Sequence, residues 1–402
     1  MSVPARLLFI KSRKASFIEL DERLLAERFE VHEIYQPGRF TDPRRIIREV
    51  LKADLIVGWW ASWHTFAPFT LAWLLRKPTL LICGGFDTAA EPEFGYGYQL
   101  GGLRAQLSRF IMRCARILMT NSEYSRREIE RNTGISHTRV RRVYHGIPDV
   151  AAGPLTGGPV PAEPGAAVAE PSGPVPARRV PAGHASGGRT PSAPKSAGLL
   201  SAAPGPSSAS AGSVPAVPAP DAHSPLILTV GIVDSTNLRR KGLLAFAQAA
   251  ALVPEVRWVI AGKLIGGAGA ELERLAIPNL RLTGWCEDAE LAALYQEAAV
   301  YVQASRHEGF GVAVAEAMLY RCVPVVTAAG ALPEVVGECG VVLADGEPQT
   351  VAAGVRQALR LGGGEAARAR VLEQFSVSQR RDGLLALTAE LTGQPPKSVS
   401  AT

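Results

Sequence analysis

The chain has 402 residues, 47% of them hydrophobic, enough to core two domains. Its five cysteines stand singly, with no CxxC pair and no metal-ligand spacing, which fits thiols in a reducing cytosol. The net charge of +6 belongs to the first half, where residues 1–150 hold 23 Lys and Arg against 16 Asp and Glu; the rest carries 20 against 21.

From the start, RLLFIKS reads as a strand, ELDERLLAERF as a helix and FEVHEIY as a strand; the apolar run of the first is too short for a secretory signal. DPRRIIREVLK is helical, and ADLIVGWW and PTLLICGG are strands. Leu55 to Leu75 is a 21-residue stretch without an acid, Lys or Arg, the length of a membrane span. Gly58, Ser62, His64, Thr65 and Pro68 interrupt it, so a strand, loop and helix is the expected reading. A long helix is expected over Leu103 to Ile117, then strand ILMTN, helix SEYSRREIERN and strand RVRRVYHG. On that long helix Arg109, Arg113 and Arg116 would share one face beside Phe110, Ile111, Ile117 and Leu118. Such a face is either solvated or a dock for anionic lipid.

Residues 151–223 contain 15 of the 30 prolines and no Phe, Trp or Tyr, a composition that cannot bury enough surface to fold; a disordered linker is expected. Beyond it SPLILTVG, VRWVIAG, NLRLTG, VYVQAS, VPVVTAA and GVVLA read as strands, alternating with helices such as LLAFAQAAALV, DAELAALYQEA and VAVAEAMLY. Short apolar strands alternating with helices, twice over, imply two doubly wound α/β domains with ligands at strand carboxyl ends and in the cleft. The expected divisions are residues 1–150, the linker 151–223, a second domain 224–375, and a C-terminal helix and tail at 376–402 that can pack back on the first domain.

The stretch richest in chemistry follows strand VYVQAS. The loop Arg306-His307-Glu308-Gly309-Phe310-Gly311 feeds a helix N-terminus, a natural seat for a diphosphate. Glu308 and Glu316 are spaced Glu-x7-Glu, and Glu316 stands among Val314, Ala315, Ala317 and Met318, a poor place for a surface charge. Two such acids suit the hydroxyls of a sugar and a ribose.

This segment resembles the family-4 glycosyltransferases of the GT-B fold, which carry EGFGxxxxEAM (here Glu308 to Met318) before a Pro-Val strand (here Val323-Pro324-Val325). Thr283-Gly284-Trp285, Leu294-Tyr295, and Leu332-Pro333-Glu334-Val335-Val336-Gly337 match as well, as do TNSEYSRREI and VYHGIP in the first half. The resemblance implies two Rossmann-like domains facing across a cleft and transfer from a nucleotide-sugar, UDP- or GDP-linked, to a sugar or lipid-linked hydroxyl. It implies retention of configuration, no metal or other cofactor, and work in polysaccharide or glycoconjugate synthesis at the cytoplasmic side, with peripheral contact to the inner membrane face. Nucleic acid is not an expected partner. Glu308 and Lys241 would be catalytic. Gly309, Phe310, Gly311, Glu316, Arg240, Lys263 and Trp285 would bind the donor. Asp87 and His64, just past strand ends, are the acceptor-side candidates; a lone histidine in an apolar run is more often structural. The loop Phe94 to Tyr98 is either a stacking platform for a sugar or a packed loop.

The sequence departs from the family in four places. Ile232 follows Gly231 where an arginine is usual, leaving Arg239 or Arg240 to replace it. Lys11 to Lys14 stand where a glycine pair is common, Cys322 replaces a glycine, and Gly84 to Asp87 lack the usual cleft histidine. A catalytically silent nucleotide-sugar-binding partner is the alternative these changes leave open.

Overall fold

The computed structural model describes residues 5–38, 42–149 and 220–393; the expected linker lies almost wholly outside them. The first sheet has strands β1 (Arg6–Lys11), β2 (Glu30–Tyr35), β3 (Leu55–Trp59), β4 (Thr79–Cys83), β5 (Ile117–Thr120) and β6 (Val140–Arg142). They are all parallel, in the order β2-β1-β3-β4-β5-β6. Helices α1 (Ser16–Ala26), α2 (Pro43–Lys52), α3 (Trp63–Leu74), α4 (Gly102–Cys114) and α5 (Glu123–Thr133) connect them. Strands β3, β4 and β5 are buried at every residue, as a sheet covered on both faces requires.

The second sheet has β7 (Leu226–Val230), β8 (Arg257–Ala261), β9 (Leu280–Gly284), β10 (Ala298–Gln303), β11 (Val323–Thr327) and β12 (Val341–Leu343). They are again all parallel, in the order β12-β11-β10-β7-β8-β9. Its helices are α6 (Ser235–Arg240), α7 (Leu243–Leu252), α8 (Ala268–Glu273), α9 (Asp288–Glu297), α10 (Val312–Leu319), α11 (Leu332–Val336), α12 (Pro348–Leu361), α13 (Glu365–Gln374) and α14 (Val377–Thr392). The strand order reverses direction between β7 and β10, so the loops leaving those two strands diverge and open a crevice.

Helix α14 lies against α1 of the first sheet's domain. Its Arg380, fully buried, donates to both Asp21 oxygens at 2.8 and 2.6 Å, to Asn121 at 3.0 Å and to the Val143 carbonyl at 2.7 Å. Burial pushes the Asp21 carboxyl up against the opposing pull of that guanidinium.

Leu55 to Leu75 forms β3, a loop and α3; among the described residues no helix is long and apolar enough to cross a membrane. The expected helix to Ile117 ends instead at Cys114, because Ile117 and Leu118 are needed in β5, where both are buried. Arg116 therefore leaves the arginine face. Arg109 turns inward to donate to Gln99 at 2.9 Å, and Ile111 is core. The face expected from the sequence is thus reduced to Arg113 and Phe110.

Candidate active site

The site grows from the crevice between β7 and β10. After β7 the chain turns through Gly231 to Asp234, whose side chain caps α6 by accepting from Asn237 N at 2.7 Å. Lys241 closes α6, and Gly242 follows with φ +70. A Cβ on Gly242 would stand 2.1 Å from the Ala304 carbonyl, so only glycine lets this turn sit on the loop leaving β10. Arg306 N donates to the Arg240 carbonyl at 2.8 Å and fixes the same contact. Lys241 thus ends a short helix, where a cation is favourable.

This packing puts Lys241 Nζ 2.5 Å from Glu308 Oε2, with Gln303 Nε2 donating to the same oxygen at 3.4 Å. Burial raises the Glu308 carboxyl, but the charges of Lys241 and Arg240 outweigh it and leave Glu308 below the usual range. Of the two arginines, Arg240 is buried, donates to Asn237 at 2.6 Å and lies 4.3 Å over the Tyr96 ring, whereas Arg239 is exposed.

The backbone of the loop is held from both sides. Ala331 N donates to the Glu308 carbonyl at 2.8 Å, and Gly330, at φ +62, leaves no room there for a side chain. Gly309 approaches Gly85 of the first domain closely enough that a Cβ would meet the Gly85 Cα at 3.2 Å. The Gly309 carbonyl accepts from Ser122 Oγ at 2.7 Å and Ser125 Oγ at 3.2 Å. Phe310 is buried against Tyr144, His145 and Phe375, so its ring is a packing element between the domains. Gly311 then caps α10 in the left-handed region, and the first amides of α10 lie beyond it.

Glu316 sits one turn into α10 and accepts from the Tyr295 hydroxyl at 3.2 Å. Burial pushes its carboxyl up to about 7, against that hydroxyl and with a further push from Asp288. Lys263 and Trp285 stand in the loops leaving β8 and β9; Lys263 is exposed, and the Trp285 indole donates to Glu287 at 3.1 Å. The loops of β7 and β8 meet closely, since a Cβ on Gly262 would fall 2.1 Å from the Gly231 carbonyl.

The acceptor-side candidates are both interior. Asp87 is 1% exposed, accepts from Ala61 N and Gly84 N at 3.0 Å each, and is pushed by burial up to about 6. His64 is 3% exposed, pairs with the Trp59 carbonyl at 2.7 Å, and is pushed by burial down to about 4. In the aromatic loop, Tyr96 is buried and packs on Phe86 and His307, the packed-loop alternative.

Several contributors were not legible beforehand. His307 Nε2 lies 2.8 Å from Glu128 Oε1, both buried, while Thr88 donates to Glu128 Oε2 at 2.6 Å. With Glu91 they bring ligand-type atoms within 4.8 Å of one another, yet Glu128 and His307 are engaged with each other and join the two domains. Glu334, on α11, accepts from Glu123 N at 2.8 Å, Tyr124 N at 3.2 Å and the Tyr144 hydroxyl at 2.8 Å. The serine pair Ser122-x-x-Ser125 at a helix start was the one usable signal.

Two parallel Rossmann-like sheets, with a crevice at the switch point of the second, make up the GT-B fold. Residues 224–360, within the second domain, match the family model described as Glycosyl transferases group 1. HepE from Anabaena, in complex with UDP and glucose, superposes with a TM-score of 0.62 at 15% identity, covering 96% of this chain and 99% of that one. Sucrose-phosphate synthase from Thermosynechococcus elongatus gives 0.62 at 16%, covering 97% and 100%. The catalytic domain of starch synthase IV from Arabidopsis thaliana, bound to ADP and acarbose, gives 0.60 at 12%, covering 98% and 100%. At these identities the likeness establishes the fold. No curated protein matches the chain.

Proposed function

We propose that the chain moves a sugar from a nucleotide-sugar to a hydroxyl acceptor with retention of configuration. The observation that carries this reading is the Lys241–Glu308 contact at 2.5 Å in the crevice, beside the N-terminus of α10. Lys241 and Arg240 face the diphosphate there, with the backbone of Gly309, Phe310 and Gly311 and the amides of α10 completing an anion seat. Glu308 accepts from the donor sugar and Glu316 from the ribose, while Lys263 and Trp285 flank the base. As the bond from C1 to the diphosphate breaks, Lys241 neutralises the oxygen left behind. The acceptor oxygen bonds to C1 on the same face, and its proton passes to the departing phosphate.

No step calls for a metal, so chelation with EDTA should leave turnover unchanged. Asp87 and His64 serve the acceptor side by position: Asp87 ties the loop after β4 to that after β3, and His64 ties α3 to the end of β3. A neighbour in complex with UDP makes UDP-sugars the first donors to try, with GDP-sugars second. Work in polysaccharide or glycoconjugate synthesis, at the cytoplasmic side and peripheral to the membrane, is part of the proposal.

Thermal shift with a panel of UDP-, GDP-, ADP- and TDP-sugars is the first test, on wild type and Glu316→Ala. One donor should stabilise the wild type, and the variant should lose that gain. Equal stabilisation of both would remove Glu316 from the ribose site.

A further inference from the structure

Helix α3 is apolar on its outer face as well as its inner one. Trp63, Phe66, Trp73 and Leu74 are 40%, 36%, 54% and 65% exposed, and their three- and four-residue spacings put them on one stripe. Thr70, the one polar residue on that stripe, returns its hydroxyl to the Phe66 carbonyl at 2.7 Å. The stripe is continued on α4, which packs beside α3, by Leu103 at 70% exposure and by Phe110, whose ring lies 5.9 Å from that of Phe66. On the other side α2 packs on α3 and exposes Ile47 and Leu51. A soluble helix pair would carry charge on such a face; contiguous exposed rings and leucines mark a docking surface.

The charges bordering the stripe are mostly positive; the one acid of α2, Glu49, is half-buried and paired with Arg6 and Arg48. Neither α3 nor α4 contains an acid. Exposed Arg44, Arg48 and Lys52 of α2 border one side, Arg104 and Arg113 of α4 the other, and Arg76 follows the end of α3. We infer that this α2–α4 face docks on an anionic lipid bilayer. The tryptophans and leucines enter the interfacial layer, and the arginines reach the lipid phosphates around them. A second copy of the chain fits poorly, because facing the patch with itself sets arginine against arginine. Nucleic acid offers nothing to the apolar stripe.

Helix α3 starts just past the carboxyl end of β3, on the cleft edge of the first sheet, and runs about 18 Å from there. Docking by this face therefore holds the cleft edge at the membrane, which suits a lipid-linked acceptor. The acceptor's identity rests on the proposed transfer reaction; the docking does not.

The test is sedimentation of the full chain with vesicles of phosphatidylcholine alone or mixed with phosphatidylglycerol, at low and high salt. Binding is expected on the anionic vesicles only and should weaken with salt. Trp73→Ser with Leu74→Ser, and separately Arg104→Gln with Arg113→Gln, should each weaken it about tenfold or more, with thermal stability unchanged. Absence of binding to anionic vesicles at low salt would overturn the inference, as would binding that both double variants retain. So would a wild-type dimer in light scattering that the serine variant turns to monomer. Vesicle binding needs no nucleotide-sugar, so a failed transfer assay leaves this result standing.

Discussion

At the scale of single residues the site is a set of charges whose environments pull them apart. Glu308, facing Lys241 and Arg240, is held ionised, while Glu316, buried beneath Tyr295, titrates near 7. If Glu316 takes the ribose hydroxyls, it must be a carboxylate when the donor binds. Donor affinity should then rise with pH through about 7 and level off above it; at about pH 6 it should be roughly tenfold below the plateau. Calorimetric titration of a nucleotide-sugar across this range checks the slope, and Glu316→Gln should flatten it. In the sequence Glu316 stands out because it lies among Val314, Ala315, Ala317 and Met318, where a charge needs a reason, and Glu308 through its Glu-x7-Glu spacing to it. Asp87 and His64 were not separable from interior residues by position alone. In the fold Ala61 N, Gly84 N and the Trp59 carbonyl engage their polar atoms.

At the scale of elements, most strands could be read from continuous apolar runs, since a buried parallel strand tolerates few polar residues. The errors fall where a local signal competes with packing. The arginines at 109, 113 and 116 look like one helical face, but the demand of β5 for Ile117 and Leu118 stops α4 at Cys114. Helix α6 is only six residues long and lacks an apolar period, so no local pattern points to it; the Asp234 cap and the Gly242 turn define it. The start of α5 shows what an element can do that a residue list cannot. Its amides and capping serines receive Glu334 and the Gly309 carbonyl, so one helix N-terminus of the first domain holds two pieces of the second. Helix α14 acts in the same sense through Arg380. Arg380→Met leaves Asp21 buried without its partner and should cost about 3–5 kcal/mol in chemical denaturation. Adding Asp21→Asn should recover part of that loss, because the two changes share one interaction.

At the scale of the whole molecule, both sheets were legible and their meeting was not. Strand alternation implies two doubly wound domains, and the resemblance at Glu308 to Met318 falls on the second. The contacts that join them, His307 with Glu128, Gly309 with Gly85 and Ser122, and Glu334 with α5, are long-range pairs that no local pattern encodes. They hold the Glu308–Gly311 loop from the opposite domain, so the loop's shape depends on both halves. The outward face of α3 was hidden for a related reason: an apolar run reads as core until the structure shows which side is left uncovered.

Transfer from a nucleotide-sugar, as proposed, depends on Lys241 and Glu308. The most direct measurement is release of nucleoside diphosphate from the donor that stabilises the protein, in wild type and in Lys241→Ala. Wild type should turn over, and the variant should lose about 3–4 kcal/mol in transition-state stabilisation, two to three orders of magnitude in rate. Near-wild-type turnover by Lys241→Ala would contradict the role given to the lysine. Tight donor binding by wild type with no release of diphosphate in the presence of any acceptor would contradict catalysis itself and leave a nucleotide-sugar-binding module.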